Sequence, residues 1–444
     1  MKRVLIITYY WPPSGGSGVQ RWVKFAKYLP KEGWQPVIYT PENPELTTVD
    51  KTLAEEIPPE AEIVKRHILE PYGIYRKLMG KGSSTDLKTL TAAGSDGGEV
   101  NPVNGGGKSW KQRLSLFIRG NCFIPDPRIL WVKPSVRFLK EYLKGHPVDA
   151  IVTTGPPQSM HLIGQELSRA TGLPWLADFR DPWTKMFYFK HLSLREKAEK
   201  KHHELEKEVL DGATRVIAVS PMVQKDFQKM TSTPVEIITN GFDEADFNRH
   251  FDLDENFNIT HTGLFASDGN PGNLWKVLAA KCETDKEFRR SLRIRLVGKT
   301  DKEIVESIEA AGLGQNLKDF GYQSHEVAVR EQRNASVLIL PLRKEPEYEA
   351  VLPGKLFEYL ASRRPILGIG QTEGAMAKVV RDTGSGIVFD WDEEKKLRAY
   401  IDLCWDEFKN DELKDNCSDI SMYSRRKLTK RLTALLNEIT DNPN

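Results

Sequence analysis

The stretch Pro353-Gly-Lys-Leu-Phe-Glu-Tyr-Leu-Ala361, running on to Arg364-Pro365-Ile366-Leu367, reads as a turn that opens a helix, which ends before a buried strand. Pro353 and Gly354 break the preceding segment, and Leu356, Phe357 and Leu360 form an apolar helical face. The first turn would aim backbone N–H groups forward, with Lys355 beside them, which makes an anion site suited to a diphosphate. Glu358, one turn on, is placed to accept hydrogen bonds from hydroxyls such as those of a ribose. Taken alone, the same residues also describe an amphipathic helix with a surface glutamate.

Outward from this stretch, short apolar runs alternate with helical stretches. Strands are predicted at Arg3–Thr8, Pro36–Thr40, Ala150–Thr153, Pro174–Asp178 and Arg215–Val219, with a helix over Val19–Leu29. The pattern restarts at Phe257–Thr262 and continues at Arg293–Val297, Leu317–Phe320, Val337–Leu340, Pro365–Gly368 and Gly386–Val388. Such alternation implies parallel sheets covered on both faces, hence two doubly wound α/β domains. The expected division is 1–240, a linker at 241–256 where apolar periodicity lapses, a second domain at 257–415, and a C-terminal helix within 416–444 returning to the first domain.

The chain has 444 residues, 39% hydrophobic and 28% charged, with a formal net charge of +2, so nothing points to a nucleic-acid partner. Its four cysteines show no metal-ligand or redox spacing. The apolar run at the N-terminus is too short for a signal peptide, and no run reaches membrane-spanning length, so a cytoplasmic location is expected. Residues 80–108, rich in Gly, Ser, Thr, Asn and charge, read as a mobile insertion. Behind it, Trp110, Leu114, Phe117 and Ile118 alternate with Lys111, Arg113 and Arg119. That pattern fits a helix packed on the first domain with a solvated basic face, or a peripheral contact with a membrane surface.

Three strand ends of the first domain carry polar clusters. Gly15-Gly16-Ser17-Gly18 follows the first strand, where glycines let a ligand approach the backbone. With Gln20 and Arg21 where a dinucleotide fingerprint needs its next glycine, and no Gly-Lys-Ser/Thr following in this loop, it matches neither that fingerprint nor a P-loop. Asp178-Phe-Arg180-Asp181-Pro-Trp183 offers carboxylates, a guanidinium and an indole, a set suited to binding a polyol or to capping the next segment. Thr153-Thr-Gly-Pro-Pro-Gln-Ser-Met-His161 places His161 near a helix start, where it is either a ligand contact or structural. Asp252-Leu-Asp254 and Asp390-Trp-Asp392 read as solvated loop acids, so no metal site is expected.

Together these residues resemble the family 4 glycosyltransferases of the GT-B fold, especially the bacterial polysaccharide-assembly type. The resemblance runs through Gly15–Val19, Asp178–Trp183, Asn240–Asp243, Leu296–Gly298, Phe320–Gln323, Ala335–Leu342 and Pro353–Ala361, in the family's order. It implies two Rossmann-like domains facing across a cleft, with a nucleotide-sugar donor held by the second and a glycan or lipid-linked acceptor by the first. Donor contacts would fall at Gly298, Lys299, Gly321, Tyr322, Gln323, Pro353, Gly354, Lys355, Leu356 and Glu358. Acceptor contacts would fall at Gly15, Gly16, Ser17, Gly18, His161, Asp178, Arg180, Asp181 and Trp183. Asp181, Lys355 and Glu358 are the catalytic candidates. Transfer would retain configuration and need no metal or other cofactor, with positive groups and helix dipoles stabilising the departing phosphate.

Two positions depart from the family pattern. Ala350 stands where a donor-contacting glutamate often occurs, and Thr262–Pro271 lacks the usual Arg and Lys, for which Lys276, Lys299 or Lys355 are the available substitutes. The alternatives are a non-catalytic scaffold or sugar-binding partner and a nucleotide-sugar epimerase.

Overall fold

The computed structural model describes residues 1–45, 49–50, 52–69, 117–247, 254–413 and 418–441. The 80–108 stretch, most of the Trp110–Arg119 segment and the middle of the 241–256 linker lie outside them. The chain divides into two compact units, Met1–Thr239 with Arg426–Asn444, and Asn240–Arg425.

The first unit contains β1 (Lys2–Ile7), α1 (Ser17–Tyr28), β2 (Trp34–Pro41), β3 (Glu62–Arg66), α2 (Ile129–Gly145), β4 (Ala150–Gly155), α3 (Ser159–Thr171), β5 (Trp175–Phe179), α4 (Glu196–Gly212), β6 (Arg215–Ala218), α5 (Pro221–Gln228) and β7 (Val235–Ile237). Seven parallel strands run in the order β3-β2-β1-β4-β5-β6-β7, with Ile6 of β1 paired to Ile38 on one side and Val152 on the other. The central strands are buried on both faces, which their unbroken Val/Ile/Leu runs require. β3 and β7, which the apolar pattern does not mark, are half-buried edge strands whose short mixed sequences carry no long apolar run.

The second unit contains β8 (Phe257–Thr262), α6 (Gly272–Thr284), α7 (Lys286–Ser291), β9 (Leu292–Val297), α8 (Lys302–Ala310), β10 (Leu317–Asp319), α9 (His325–Arg333), β11 (Val337–Pro341), α10 (Gly354–Ser362), β12 (Ile366–Ile369), α11 (Ala375–Thr383), β13 (Gly386–Phe389) and α12 (Glu394–Lys409). Its six parallel strands follow the order β10-β9-β8-β11-β12-β13. The strand order reverses at β1/β4 in the first sheet and at β8/β11 in the second, and ligands of open α/β folds bind at such switch points, beyond the carboxyl ends of the strands.

The last helix, α13 (Arg425–Asp441), packs on the first unit. It buries Leu428, Leu432, Leu436 and Ile439, Asn437 accepts a hydrogen bond from Trp34 Nε1 at 3.2 Å, and Glu438 pairs with Arg215. Among the described residues no helix is long and apolar enough to cross a membrane.

Candidate active site

In the second unit, α10 starts at the carboxyl edge of the sheet. Leu356, Phe357, Tyr359 and Leu360 are buried, and the helix ends at Arg363 in the left-handed conformation, just before Pro365 and β12. Pro353 supplies no side-chain cap and the first turn carries no acid, so the positive end of the helix is left for another acceptor.

Lys355, in that first turn, folds toward β8. Its ammonium lies 3.0 Å from His261 Nε2 and 3.0 Å from the Leu264 carbonyl. Because an ammonium only donates, Nε2 of His261 is the acceptor and Nδ1 carries the ring proton. Burial, and then the charge of Lys355, hold His261 well below the usual histidine range, so the imidazole stays neutral beside the lysine. A lysine from α10 thus enters the Thr262–Pro271 loop that has no basic residue of its own, while Lys276 and Lys299 are exposed.

The loops after β8, β9 and β10 are laced together by backbone bonds, Gly263 N to Val297 O at 2.7 Å and Gly298 N to Gly321 O at 2.8 Å. Gly298 sits at φ +139°, and a Cβ there would fall 2.2 Å from the Gly263 carbonyl oxygen, so no other residue fits. Tyr322 is exposed, and Gln323 Nε2 donates to the Phe320 carbonyl at 2.6 Å. Glu358 is half-buried and accepts from Gln332 Nε2 at 2.9 Å. Gln332 is itself held by Thr262 Oγ1 at 3.0 Å. The glutamate that the sequence marks is therefore oriented by a glutamine and a threonine that no motif marks.

The first unit turns several of the predicted acceptor contacts inward. Asp178 is fully buried and bonded to Arg21 through both Nε (3.1 Å) and Nη2 (2.7 Å), to Trp22 Nε1 at 2.8 Å and to Thr154 Oγ1 at 3.0 Å. Burial opposes its ionisation, yet Arg21 outweighs burial and leaves the carboxyl below the usual range. With its lone pairs spent on protein donors, Asp178 belongs to the core and offers nothing to a polyol. Trp183 is buried and donates Nε1–H to His202 Nδ1 at 3.1 Å, so its ring is not a sugar-stacking platform.

His161 is buried, stacked on Phe179 at 4.3 Å and bonded through Nδ1 to Thr153 Oγ1 at 2.8 Å. It is a packed core histidine, not a surface contact. Arg180 is buried as well, its Nη2 donating to the Pro156 carbonyl and its guanidinium 6.0 Å from the Tyr10 ring. Asp181 remains half-buried just beyond β5, Gly15 and Gly16 form the turn into α1, with Gly16 as its N-cap, and Gly18 lies in the helix's first turn. The backbone of Ser17 opens that helix.

Burial pushes the His161 pKa down to about 3 from 6.5. In that interval the unfolded chain binds a proton that the folded state refuses. This contribution to stability is complete above the ordinary histidine pKa and is lost as pH falls toward the folded value, by at most about 1.4 kcal/mol per pH unit. Denaturant unfolding of the wild type and of His161→Gln across this interval should give a shallower pH slope for the variant. Identical slopes would remove His161 from the acid response.

The sequence profile described as Glycosyltransferase Family 4 matches residues 102–246. No curated protein matches the chain by sequence. Among solved structures, sucrose-phosphate synthase from Thermosynechococcus elongatus is similar with a TM-score of 0.61 at 14% identity, covering 99% of this chain and 100% of that one. Anabaena HepE in complex with UDP-glucose aligns with a TM-score of 0.60 at 14% identity, over 99% and 100% of the two chains. WaaG, a glycosyltransferase involved in lipopolysaccharide biosynthesis, gives 0.53 at 14% identity, over 99% and 96%. At these identities the structures establish the fold: the chain has the GT-B fold, and its residues 102–246 are similar to Glycosyltransferase Family 4.

Proposed function

We propose that the protein is a glycosyltransferase moving a sugar from a nucleoside diphosphate sugar to a glycan or lipid-linked acceptor in cell-surface polysaccharide biosynthesis. The observation that carries this reading is the start of α10. There an uncapped helix N-terminus, the ammonium of Lys355 and, one turn on, the carboxylate of Glu358 stand together at the carboxyl edge of a Rossmann-like sheet. The amides and the ammonium fit a diphosphate, and the glutamate fits ribose hydroxyls. Gly298, Lys299 and Gly321–Gln323 lie at the neighbouring strand ends and complete the donor set. Asp181 is the acidic candidate of the first unit.

In this reading the leaving diphosphate is stabilised by the helix end and Lys355, with retention of configuration and without a resident cofactor or metal. The protein works in the cytoplasm, in peripheral contact with the inner membrane where its acceptor is lipid-linked, and co-flotation with anionic liposomes checks that contact.

Thermal unfolding with UDP, GDP, ADP, CMP and dTDP in the presence of EDTA tests the donor site. A ligand at a hundredfold its Kd stabilises by about 2.7 kcal/mol, so one nucleoside diphosphate should raise Tm selectively. No shift with any of them would overturn the transferase reading in favour of a non-catalytic member, which Ala350 at the glutamate position favours. Turnover of donor alone, without acceptor, would instead identify an epimerase.

A further inference from the structure

Where β3 meets α2, the surface of the first unit opens into a pocket of about 350 Å³, within the usual size range of small-molecule sites. Among the described residues its wall is formed by Arg66, Lys133, Pro134, Arg137, Phe138 and Glu141. Arg66 is the last residue of β3, so the pocket stands at the carboxyl edge of the sheet. Lys133, Pro134, Arg137 and Glu141 are exposed, while Arg66 and Phe138 are half-buried, so the wall is open to a ligand arriving from solvent.

The wall is rich in positive charge. Arg66, Lys133 and Arg137 form no ion pair among the described residues. Lys133 and Arg137 stand four residues apart on one face of α2, a spacing at which like charges repel. The one acid of the wall, Glu141, is bonded to Lys144 at 2.7 Å. Glu42, just beyond β2, bonds to the Arg66 carbonyl through its backbone N–H at 2.9 Å and lies outside the wall.

Arg66 is held in place without being neutralised. Its guanidinium lies 4.8 Å from the centre of the Phe138 ring. Phe138 is stacked with Tyr39 at 6.0 Å and with Tyr142 at 5.9 Å. Tyr39 is anchored in turn by its hydrogen bond to Ser135 Oγ at 3.0 Å and by Trp131 at 5.2 Å. One fixed guanidinium and two solvated cations thus surround an aromatic floor.

We propose that this pocket binds a phosphate monoester. The planar fork of Arg66 matches two phosphate oxygens, and Lys133 and Arg137 close on the remaining charge. A monoester carries nearly two charges at neutral pH and three strong acceptor oxygens, whereas a carboxylate carries one charge and leaves the other cations unmatched. Phe138 and Pro134 offer their faces to the carbon skeleton that bears the phosphate. Assigning that phosphate to the acceptor of transfer rests on the transferase reading, whereas the binding itself does not.

Isothermal titration of the full chain with glycerol 3-phosphate and with D-glycerate, its carboxylate counterpart, tests this. Phosphatidylcholine vesicles with and without phosphatidic acid present the same phosphate chemistry on a lipid, read by co-sedimentation. The wild type should bind glycerol 3-phosphate about tenfold or more tightly than glycerate, or sediment only with vesicles that contain phosphatidic acid. The first result places the phosphate on a soluble ligand and the second on a lipid headgroup, while both together mean that the pocket reads the phosphate and not its carrier. The double variant Lys133→Gln/Arg137→Gln should weaken the response by about a hundredfold, two charge-assisted contacts at about tenfold each. Its Tm should stay or rise, since the pair removed is of like charge. Lys355→Met, altered in the second unit, should keep the binding.

No response to either form of phosphate, glycerate binding as tightly as glycerol 3-phosphate, or unchanged binding in the double variant would each overturn the site. Loss of binding in Lys355→Met would overturn it too, by moving the phosphate to the second unit. The Tm shift with nucleoside diphosphate, measured on the same samples, reports that second unit. Its persistence separates failure of this pocket from failure of the transferase reading.

Discussion

Replacing Asp178 with asparagine is expected to destabilise the first unit by about 3–5 kcal/mol, the cost of removing one partner from a buried ion pair. Arg21 and Asp178 are both fully buried, and the carboxylate accepts two bonds from the guanidinium. The other end of Arg21 donates to the carbonyls of Ile238 at 3.0 Å and Thr239 at 2.8 Å. The guanidinium thus joins α1, β5 and the residues after β7, and asparagine would leave its charge without this carboxylate in a dry interior. Asparagine also turns one acceptor oxygen into a donor facing Trp22 Nε1–H or the Arg21 fork. Chemical denaturation followed by tryptophan fluorescence measures the loss, because Trp22 and Trp175 are both buried in this unit. A variant as stable as wild type would mean that the pair is not what holds these elements together.

The second large effect is on turnover. Lys355→Met keeps the aliphatic stem but removes the charge at the start of α10. If that charge stabilises a departing diphosphate, transfer should slow by about 10²–10³-fold, as for loss of one preorganised donor. Folding should persist, since the half-buried ammonium contacts His261 and the Leu264 carbonyl and does not form part of the hydrophobic core. Because the helix amides remain, nucleoside diphosphate binding should weaken less than turnover. Single-turnover transfer measured beside nucleotide titration separates the two. Full turnover in Lys355→Met would take the leaving-group role away from this residue.

Part of the candidate site is legible in the sequence because it is local. The break at Pro353-Gly354, the apolar face of Leu356, Phe357 and Leu360 and the i, i+3 spacing of Lys355 and Glu358 are properties of nine consecutive residues. His261 and Gln332 leave no such trace. The histidine is the last but one residue of β8, like any other polar residue near a strand end, and the glutamine is an unremarked position on an otherwise polar helix, α9.

Strands, their β-α alternation and the restart at Phe257 follow from the sequence by itself, because apolar runs and helical periodicity report short-range burial. The two edge strands escape it because an edge needs no continuous apolar run. What only the tertiary structure decided is which polar groups are sealed inside the protein and which stay partly exposed. Asp178 and Glu358 are both acids near the carboxyl edge of a sheet, yet the first is sealed by an arginine 157 residues away and the second stays half-buried. Lys355 meets its histidine across 94 residues. Desolvation and pairing depend on contacts between distant segments, so the chemistry of a carboxylate or a lysine is settled only when those segments have packed.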